Sequence, residues 1–297
     1  MLAACVILII ILLSVNEPRN HVTGRGIVLD DASWETTQDG FRYYNREGYH
    51  NSFGIDISEW VEDIDFRALK KSGVEFVILR VGYRGYETGK FVLDQQLQEY
   101  LREARNAGLM TGAYFVSQAI SEEEAREEAE YVIGHIRNYA MEMPLYIDLE
   151  TVYDAARTDD LTKDQQTKIA VAFCETIEEN GYRAGIYANE SWFQDKLNFR
   201  DIASYDIWLA KYADTPSTEL PVNMWQFTDE GLVEGTDFFV DKNVRVSLPE
   251  GSDLQETTLS QDNADNTSVP VETSTGNSPT ENPENDTDNH TDQNEKG

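Results

Sequence analysis

The chain has 297 residues, 55 of them Asp or Glu against 24 Lys or Arg, and a formal net charge of -31 at pH 7. That length suits one large domain or two small ones. The acidity argues against nucleic acid and other polyanions as partners held by charge. The two cysteines, Cys5 in an apolar run and Cys174 in a helical pattern, argue against a disulfide framework.

Residues 1–15, "MLAACVILIIILLSV", are nearly all apolar. They are fewer than the ~20 residues of a membrane-spanning helix and match the apolar region of a secretory signal or signal anchor. No basic stretch precedes them, and in "LAAC" the apolar run follows the cysteine, so lipidation is not expected. Export to the cell surface or medium is expected, with cleavage or membrane anchoring both open. Residues 16–50 are polar and weakly periodic and read as a linker or poorly ordered N-terminal arm.

From residue 51 to 247, strand-like and helix-like runs alternate. "FGIDIS" reads as a strand and "DIDFRALKKSG" as a helix. "VEFVILRVGY" is a strand, and "LDQQLQEYLREARNAG" a helix ended by Gly108. "MTGAYFVS" is a strand, and the following helix starts at Ser121 with Glu124 as a capping box. "MPLYIDLE" is a strand followed by the helix "TKDQQTKIAVAFCETIEENG". "RAGIYAN", "YDIWLAKY", "VNMWQFT" and "FFVDKN" follow at shorter intervals, making eight strand candidates. This alternation predicts an α/β fold with parallel strands. No Gly-rich phosphate loop follows the first strand, which favours a TIM-like β/α barrel with fewer helices in its C-terminal half. Residues 248–297 are rich in Asn, Asp, Thr, Ser and Pro and are expected to form an acidic, disordered tail.

In "MPLYIDLE", Leu145, Ile147 and Leu149 alternate with Tyr146, Asp148 and Glu150, so both acids share one strand face. Asp56 falls late in the first strand candidate, and Asp241 late in the eighth. In a barrel, strand ends of that kind form the mouth where chemistry occurs. Each acid alone is as well explained as a turn or helix cap; together they point to a shared pocket. Tyr83, Tyr114, Phe115, Tyr187, Trp208, Tyr212 and Trp225 recur at the same level. Each ring alone suits core packing, but with the acids they suggest a sugar site, where aromatic faces stack on sugars and carboxyls move protons. None of the four His residues falls at a strand end, so no metal or other cofactor is assigned, although carboxylate-only binding of magnesium or calcium stays open.

The run "GIDISEW", "FVILRVGY", "TGAYFVS", "PLYIDLE", "GIYANESWF", "YDIWLAKY" and "MWQFTDEGLVEGTDFFVDKN" resembles the successive motifs of family 25 glycoside hydrolases, over roughly residues 52 to 246. The resemblance implies an N-acetylmuramidase, or lysozyme, that cleaves the β-1,4 bond after N-acetylmuramic acid in peptidoglycan. It implies Glu150 as proton donor, Asp148 as its partner beside the N-acetyl group, and Asp56 and Asp241 completing an acidic floor. Gln226 of the "WQF" strand joins the aromatic residues as a substrate contact. Repulsion from the neighbouring acids should raise the pKa of Glu150. Lys242 of "VDKN" departs from the family pattern and is expected to point outward. The i, i+2 spacing sets the two Cβ atoms about 7 Å apart, which leaves retaining, inverting and substrate-assisted routes open. Two alternatives remain: a chitinase-like glycosidase and a non-catalytic glycan-binding barrel. The expected partner is the peptidoglycan glycan strand, met by a monomer.

Overall fold

The computed structural model describes residues 25–152 and 155–248. The N-terminal apolar segment and nearly all of the acidic tail lie outside the described residues. Every strand expected from the sequence is present: β3 (His50–Ile57), β4 (Phe76–Arg84), β6 (Met110–Val116), β7 (Leu145–Asp148), β8 (Ala184–Asn189), β9 (Asp206–Ala210), β10 (Met224–Gly231) and β11 (Val240–Ser247). Two short strands, β1 (Trp34–Thr36) and β2 (Arg42–Tyr44), precede them, and β5 (Phe91–Leu93) adds to the side of β4. Neighbour pairing runs β3-β11-β10-β9-β8-β7-β6-β4 and closes between β3 and β4, giving a barrel.

From β3 through β4, β6, β7, β8 and β9 to β10 the barrel strands pair in parallel, but β11 is antiparallel to both β10 and β3. Helices fill the first crossovers: α1 (Phe66–Lys71), α2 (Leu97–Asn106), α3 (Glu122–Ile136) and α4 (Lys163–Glu179). After β8 only the single-turn α5 (Phe199–Ile202) follows a π-helical turn, and no helix separates β9, β10 and β11. The reversed β11 follows from this: the short 232–239 connection can turn the chain back but cannot carry it to the far end of the barrel.

Helix starts are set by side chains that accept orphan backbone N–H groups. Asp65 caps α1, and Thr162 with Gln165 forms a full capping box on α4. At α3 only half of the expected box exists. Ser121 Oγ accepts from Glu124 N at 3.2 Å, but Glu124 reaches past the cap to Ile120 N and to Arg157. The neighbouring Arg157 guanidinium competes for that carboxylate and wins one of its oxygens.

Strand alternation sorts the core into two apolar groups. Phe76, Ile78, Tyr146, Tyr187, Trp208 and Met224 fill the barrel interior. Val77, Leu79, Phe115, Leu145, Ile147, Ile186 and Trp225 face outward, in the core shared with the helices and the N-terminal segment. Bulky interior rings need gaps opposite them. A Cβ on Gly54 would lie 2.1 Å from the Phe76 ring, and one on Gly185 would lie 2.3 Å from the Tyr146 ring.

Residues 25–50 differ from the expectation of a poorly ordered arm. They pair β1 with β2 and seal the barrel wall that lacks helices. Trp34 meets Trp225 edge-on at 4.9 Å, and Phe41 lies against Phe53 and Phe227. Ile27 bridges to Val222. Lys242 points out of the barrel as expected, yet it is only 4% exposed. Its Nζ donates to Asp39 O at 2.8 Å and lies 4.6 Å from the Phe41 ring centre, so it ties the arm to β11. Among the described residues, no helix is long and apolar enough to cross a membrane.

Candidate active site

Asp56, Asp148, Glu150 and Asp241 line one pocket of about 210 Å³ at the barrel mouth, with Arg80, Tyr114, Tyr187, Trp208, Tyr212 and Gln226. Asp56 ends the inward row of β3. Tyr146 and Asp148 are the inward residues of β7, and Glu150 continues that row just beyond the strand. Asp241 arrives by a different route from the one expected. It is the second residue of β11, not a late one, and it reaches the mouth because β11 runs antiparallel, which pairs it directly with Asp56.

Asp56 is 5% exposed, and its Oδ1 accepts from Asn243 Nδ2 at 2.7 Å and from Gln226 Nε2 at 2.9 Å. Both amides are held in orientation. Gln226 Oε1 accepts from the hydroxyls of Tyr187 (2.8 Å) and Tyr212 (3.1 Å), and Asn243 Oδ1 accepts from Trp208 Nε1 at 2.8 Å. Burial, reinforced by Asp241, pushes the pKa of Asp56 well above the carboxylate range despite these two amides. With Oδ1 doubly occupied, Oδ2 is the oxygen left for a proton. Asp241 is raised to about 6, by burial first and by Asp229 second, with a hydrogen bond from Asp56 opposing the rise. The two acids thus titrate as a pair, with Asp56 holding its proton to a higher pH than an ordinary carboxyl.

Asp148 is 3% exposed, and its Oδ1 accepts no hydrogen bond among the described residues. Burial, then the charges of Glu150 and Asp56, push its pKa well up, while the Arg80 guanidinium opposes the rise. Glu150 is exposed at the lip, and partial desolvation of its carboxyl end raises its pKa. The repulsion expected at Glu150 is therefore felt at Asp148. The deeper acid of a repelling pair has less water to fall back on and keeps its proton longer.

The aromatic expectations divide by strand face. Tyr114, Tyr187 and Tyr212 line the cleft, and Tyr212 is 53% exposed there. Trp208 lies beneath the floor at 1% exposure, where its indole N–H holds Asn243 and its ring meets Tyr187 at 4.5 Å. Phe115 does not reach the site. It follows the inward Tyr114, so it faces outward and packs on Phe91 and Tyr131. Trp225 likewise precedes the inward Gln226 and packs on the N-terminal arm. A bulge between Arg80 and Gly82 breaks the alternation of β4, and Tyr83 is not among the lining residues; its ring centre is 5.8 Å from Arg80 Cζ.

Arg80 and Asn243 were missed by the sequence reading. Arg80 is held by Asp94 (3.0 Å) and Glu59 (3.3 Å) and presents the site with a buried positive charge. The signal was available: Arg80 stands two residues after the inward Ile78, and Asn243 two after Asp241, each on the face of its strand that carries the site. Among the described residues, no group of three or more His, Cys, Asp or Glu side chains has the arrangement to hold a metal ion.

The family model for glycosyl hydrolases family 25 matches residues 55–236, more than half of the sequence. The chain belongs to that family. This family 25 chain is 26% identical over 183 residues to an autolytic lysozyme of Clostridium acetobutylicum, covering 61% of the chain and 52% of that protein. Among solved structures, it is similar to the modular autolysin LytC from Streptococcus pneumoniae, determined in complex with a synthetic peptidoglycan ligand. The TM-score is 0.61 at 27% identity, covering 71% of this chain and 52% of that one. The spore cortex lytic enzyme SleM of Clostridium perfringens matches with a TM-score of 0.57 at 25% identity, covering 66% of this chain and 67% of that one. The family 25 chain thus spans about half the length of the autolytic lysozyme and of LytC.

Proposed function

We propose that the chain is a peptidoglycan hydrolase of the muramidase type, which cleaves the β-1,4 bond between N-acetylmuramic acid and N-acetylglucosamine. The observation that carries this reading is the pair formed by Asp148 and Glu150: a deeply buried carboxyl and an accessible one, side by side in one pocket and both with raised pKa. In this reading Glu150 donates its proton to the glycosidic oxygen as the bond breaks. The N-acetyl carbonyl oxygen of the substrate attacks the anomeric carbon from the other side. Asp148, whose side chain lines the pocket, accepts a hydrogen bond from the acetamido N–H and stabilises the positive charge that develops on that group as the cyclic intermediate forms. Water then opens that ring, with Glu150 now acting as base. The bound N–H and Arg80 both favour the ionised form of Asp148 at the moment it is needed. The paired acids Asp56 and Asp241 hold the opposite wall, and Tyr114, Tyr187, Tyr212 and Gln226 supply contacts to the sugar.

Such a substrate lies outside the plasma membrane, which agrees with export through the apolar segment at residues 1–15. The test is digestion of purified cell wall followed by identification of the new reducing end. A muramic acid end is expected, and Glu150→Gln should abolish its appearance while the protein stays folded. A glucosamine end, or cleavage of chitin alone, would favour the chitinase-like reading; binding without any cleavage would favour a glycan-binding barrel.

A further inference from the structure

A second chamber, of about 380 Å³, lies beside the acidic floor, over the C-terminal ends of β7, β8 and β9. It shares Glu150, Tyr187 and Tyr212 with the floor pocket and adds Thr151, Asn189 and Lys211. Its chemistry is the opposite of the floor's. Lys211 Nζ donates to Glu190 Oε2 at 2.7 Å and to Ser217 O at 2.8 Å, which leaves one of its three N–H bonds uncommitted among the described residues. Asn189 Oδ1 accepts from Ser191 Oγ at 2.8 Å and from Trp192 N at 3.0 Å. That fixes the amide and leaves its NH₂ group without an acceptor among the described residues. Thr151 Oγ1 accepts from Trp192 Nε1 at 2.9 Å and keeps its own proton to give. Glu150 is the one acid in the chamber's lining, and Glu190 behind the wall is paired with Lys211. The floor holds four carboxyl groups; the side chamber holds one, with Lys211, Asn189 and Thr151 as donors.

We propose that this side chamber takes the lactyl ether arm that distinguishes N-acetylmuramic acid from N-acetylglucosamine. The carboxyl oxygens of that arm, free or in amide linkage to a peptide, are held by Lys211, Asn189 and Thr151. The inference rests on the muramidase reading. Glu150 borders both chambers, so a sugar whose glycosidic oxygen meets Glu150 can turn its substituent toward either. Four carboxyl groups in the floor repel a carboxylate, and its one cation, Arg80, is already paired with Asp94 and Glu59, whereas the side chamber sets three donor groups against the single acid Glu150.

The experiment measures binding by calorimetry in a Glu150→Gln background, so that ligands survive. Three tetrasaccharides serve as probes: a muramyl glycan with stem peptides, the same glycan stripped to free lactyl carboxylates, and a chito-oligosaccharide without lactyl groups. Lys211→Met and Asn189→Ala should each weaken both muramyl ligands about tenfold, the loss expected for one hydrogen bond to a charged or polar group. Chito-oligosaccharide binding should change less than about twofold. A larger Lys211→Met loss on the stripped glycan assigns the contact to the carboxylate, and an equal loss assigns it to the carbonyl; both support the proposal. Lys211 also holds Ser217 O and Asn189 also holds Trp192 N, so unchanged chito-oligosaccharide binding by each variant is the control against a purely structural effect. Equal weakening of all three ligands, or no change in folded variants, overturns the proposal. If the parent binds none of the glycans, the muramidase reading fails and takes this inference with it.

Discussion

Asp148 is buried, repelled by Glu150 and Asp56, and short of one hydrogen bond among the described residues. A desolvated, repelled carboxyl gains most from a new donor, and in the proposed reaction the substrate amide supplies one from the pocket that Asp148 lines. Asp148→Asn keeps the shape but carries no negative charge to offset the positive charge developing on the substrate. Turnover of soluble peptidoglycan fragments should fall by about 10²-fold or more, with KM changed far less. A raised KM at unchanged kcat would make Asp148 a binding residue only. Because the raised pKa of Glu150 comes from its own desolvation, the kinetic pKa of the proton donor should stay near the wild-type value in this variant. Asp241 offers a test by stability. Its pKa of about 6 lies above that of an unfolded Asp, so between about pH 4 and 6 the unfolded chain gives up this proton before the folded one does. Stability from this residue is thus present below pH 4 and lost as the pH rises through 6. Asp241→Asn should remove that loss and stabilise the protein at pH 7 by on the order of 1–2 kcal/mol, while lowering turnover. Thermal melts at pH 4, 5, 6 and 7 check the sign, and a variant less stable at pH 7 than wild type contradicts it.

At the scale of elements, the unusual component is the β1–β2 arm. Among the described residues no helix follows β10 or β11, and the outward rings of these strands and of the neighbouring β3 would face water on this side. The arm covers them with Trp34, Phe41 and Tyr44, and Lys242 pins it from the barrel side. Phe41 is 2% exposed. Phe41→Ala should destabilise the fold by about 3–5 kcal/mol, the usual cost of removing a buried ring. The arm lies on the outer wall, so kcat/KM of the folded fraction should stay within about twofold of wild type, by the independence of sites without shared partners. Urea unfolding and wall-fragment kinetics on the same preparation test both halves. A stability change under 1 kcal/mol would mean that the arm is not part of the cooperative unit.

At the scale of the whole molecule, self-repulsion dominates. A formal charge of -31 over 297 residues disfavours the compact state, and salt screens that repulsion. The buried acids act in the same direction. Asp56, Asp148 and Glu150 are raised, and Glu128, buried against Arg84, is raised to about 7. Each withholds its proton longer in the fold than in the unfolded chain, so each loses stability as pH rises. The melting temperature should therefore be higher at pH 5 than at pH 8. Raising ionic strength to about 0.5 M should narrow the gap without closing it, since buried groups are screened much less than surface ones. A melting temperature that climbs from pH 5 to 8 would contradict this.

The barrel and the acids of its parallel strands were legible in the sequence because both rest on short periodicities. A period of two assigns Asp148 and Glu150 to one face, and a period near 3.6 separates the helices between strands. The same alternation, applied strictly, would have turned Phe115 and Trp225 outward and brought Arg80 and Asn243 in. What local pattern cannot carry is strand direction and long-range cover. Asp241 belongs to the mouth only because β11 runs backwards, and that depends on pairing with β3, nearly two hundred residues earlier in the chain. Residues 25–50 looked featureless because a segment that borrows its core from another part of the chain needs no amphipathic period of its own. The division of protons among Asp56, Asp148, Glu150 and Asp241 was also beyond the sequence. It depends on depth beneath the surface, and depth exists only once the strands have closed into a barrel.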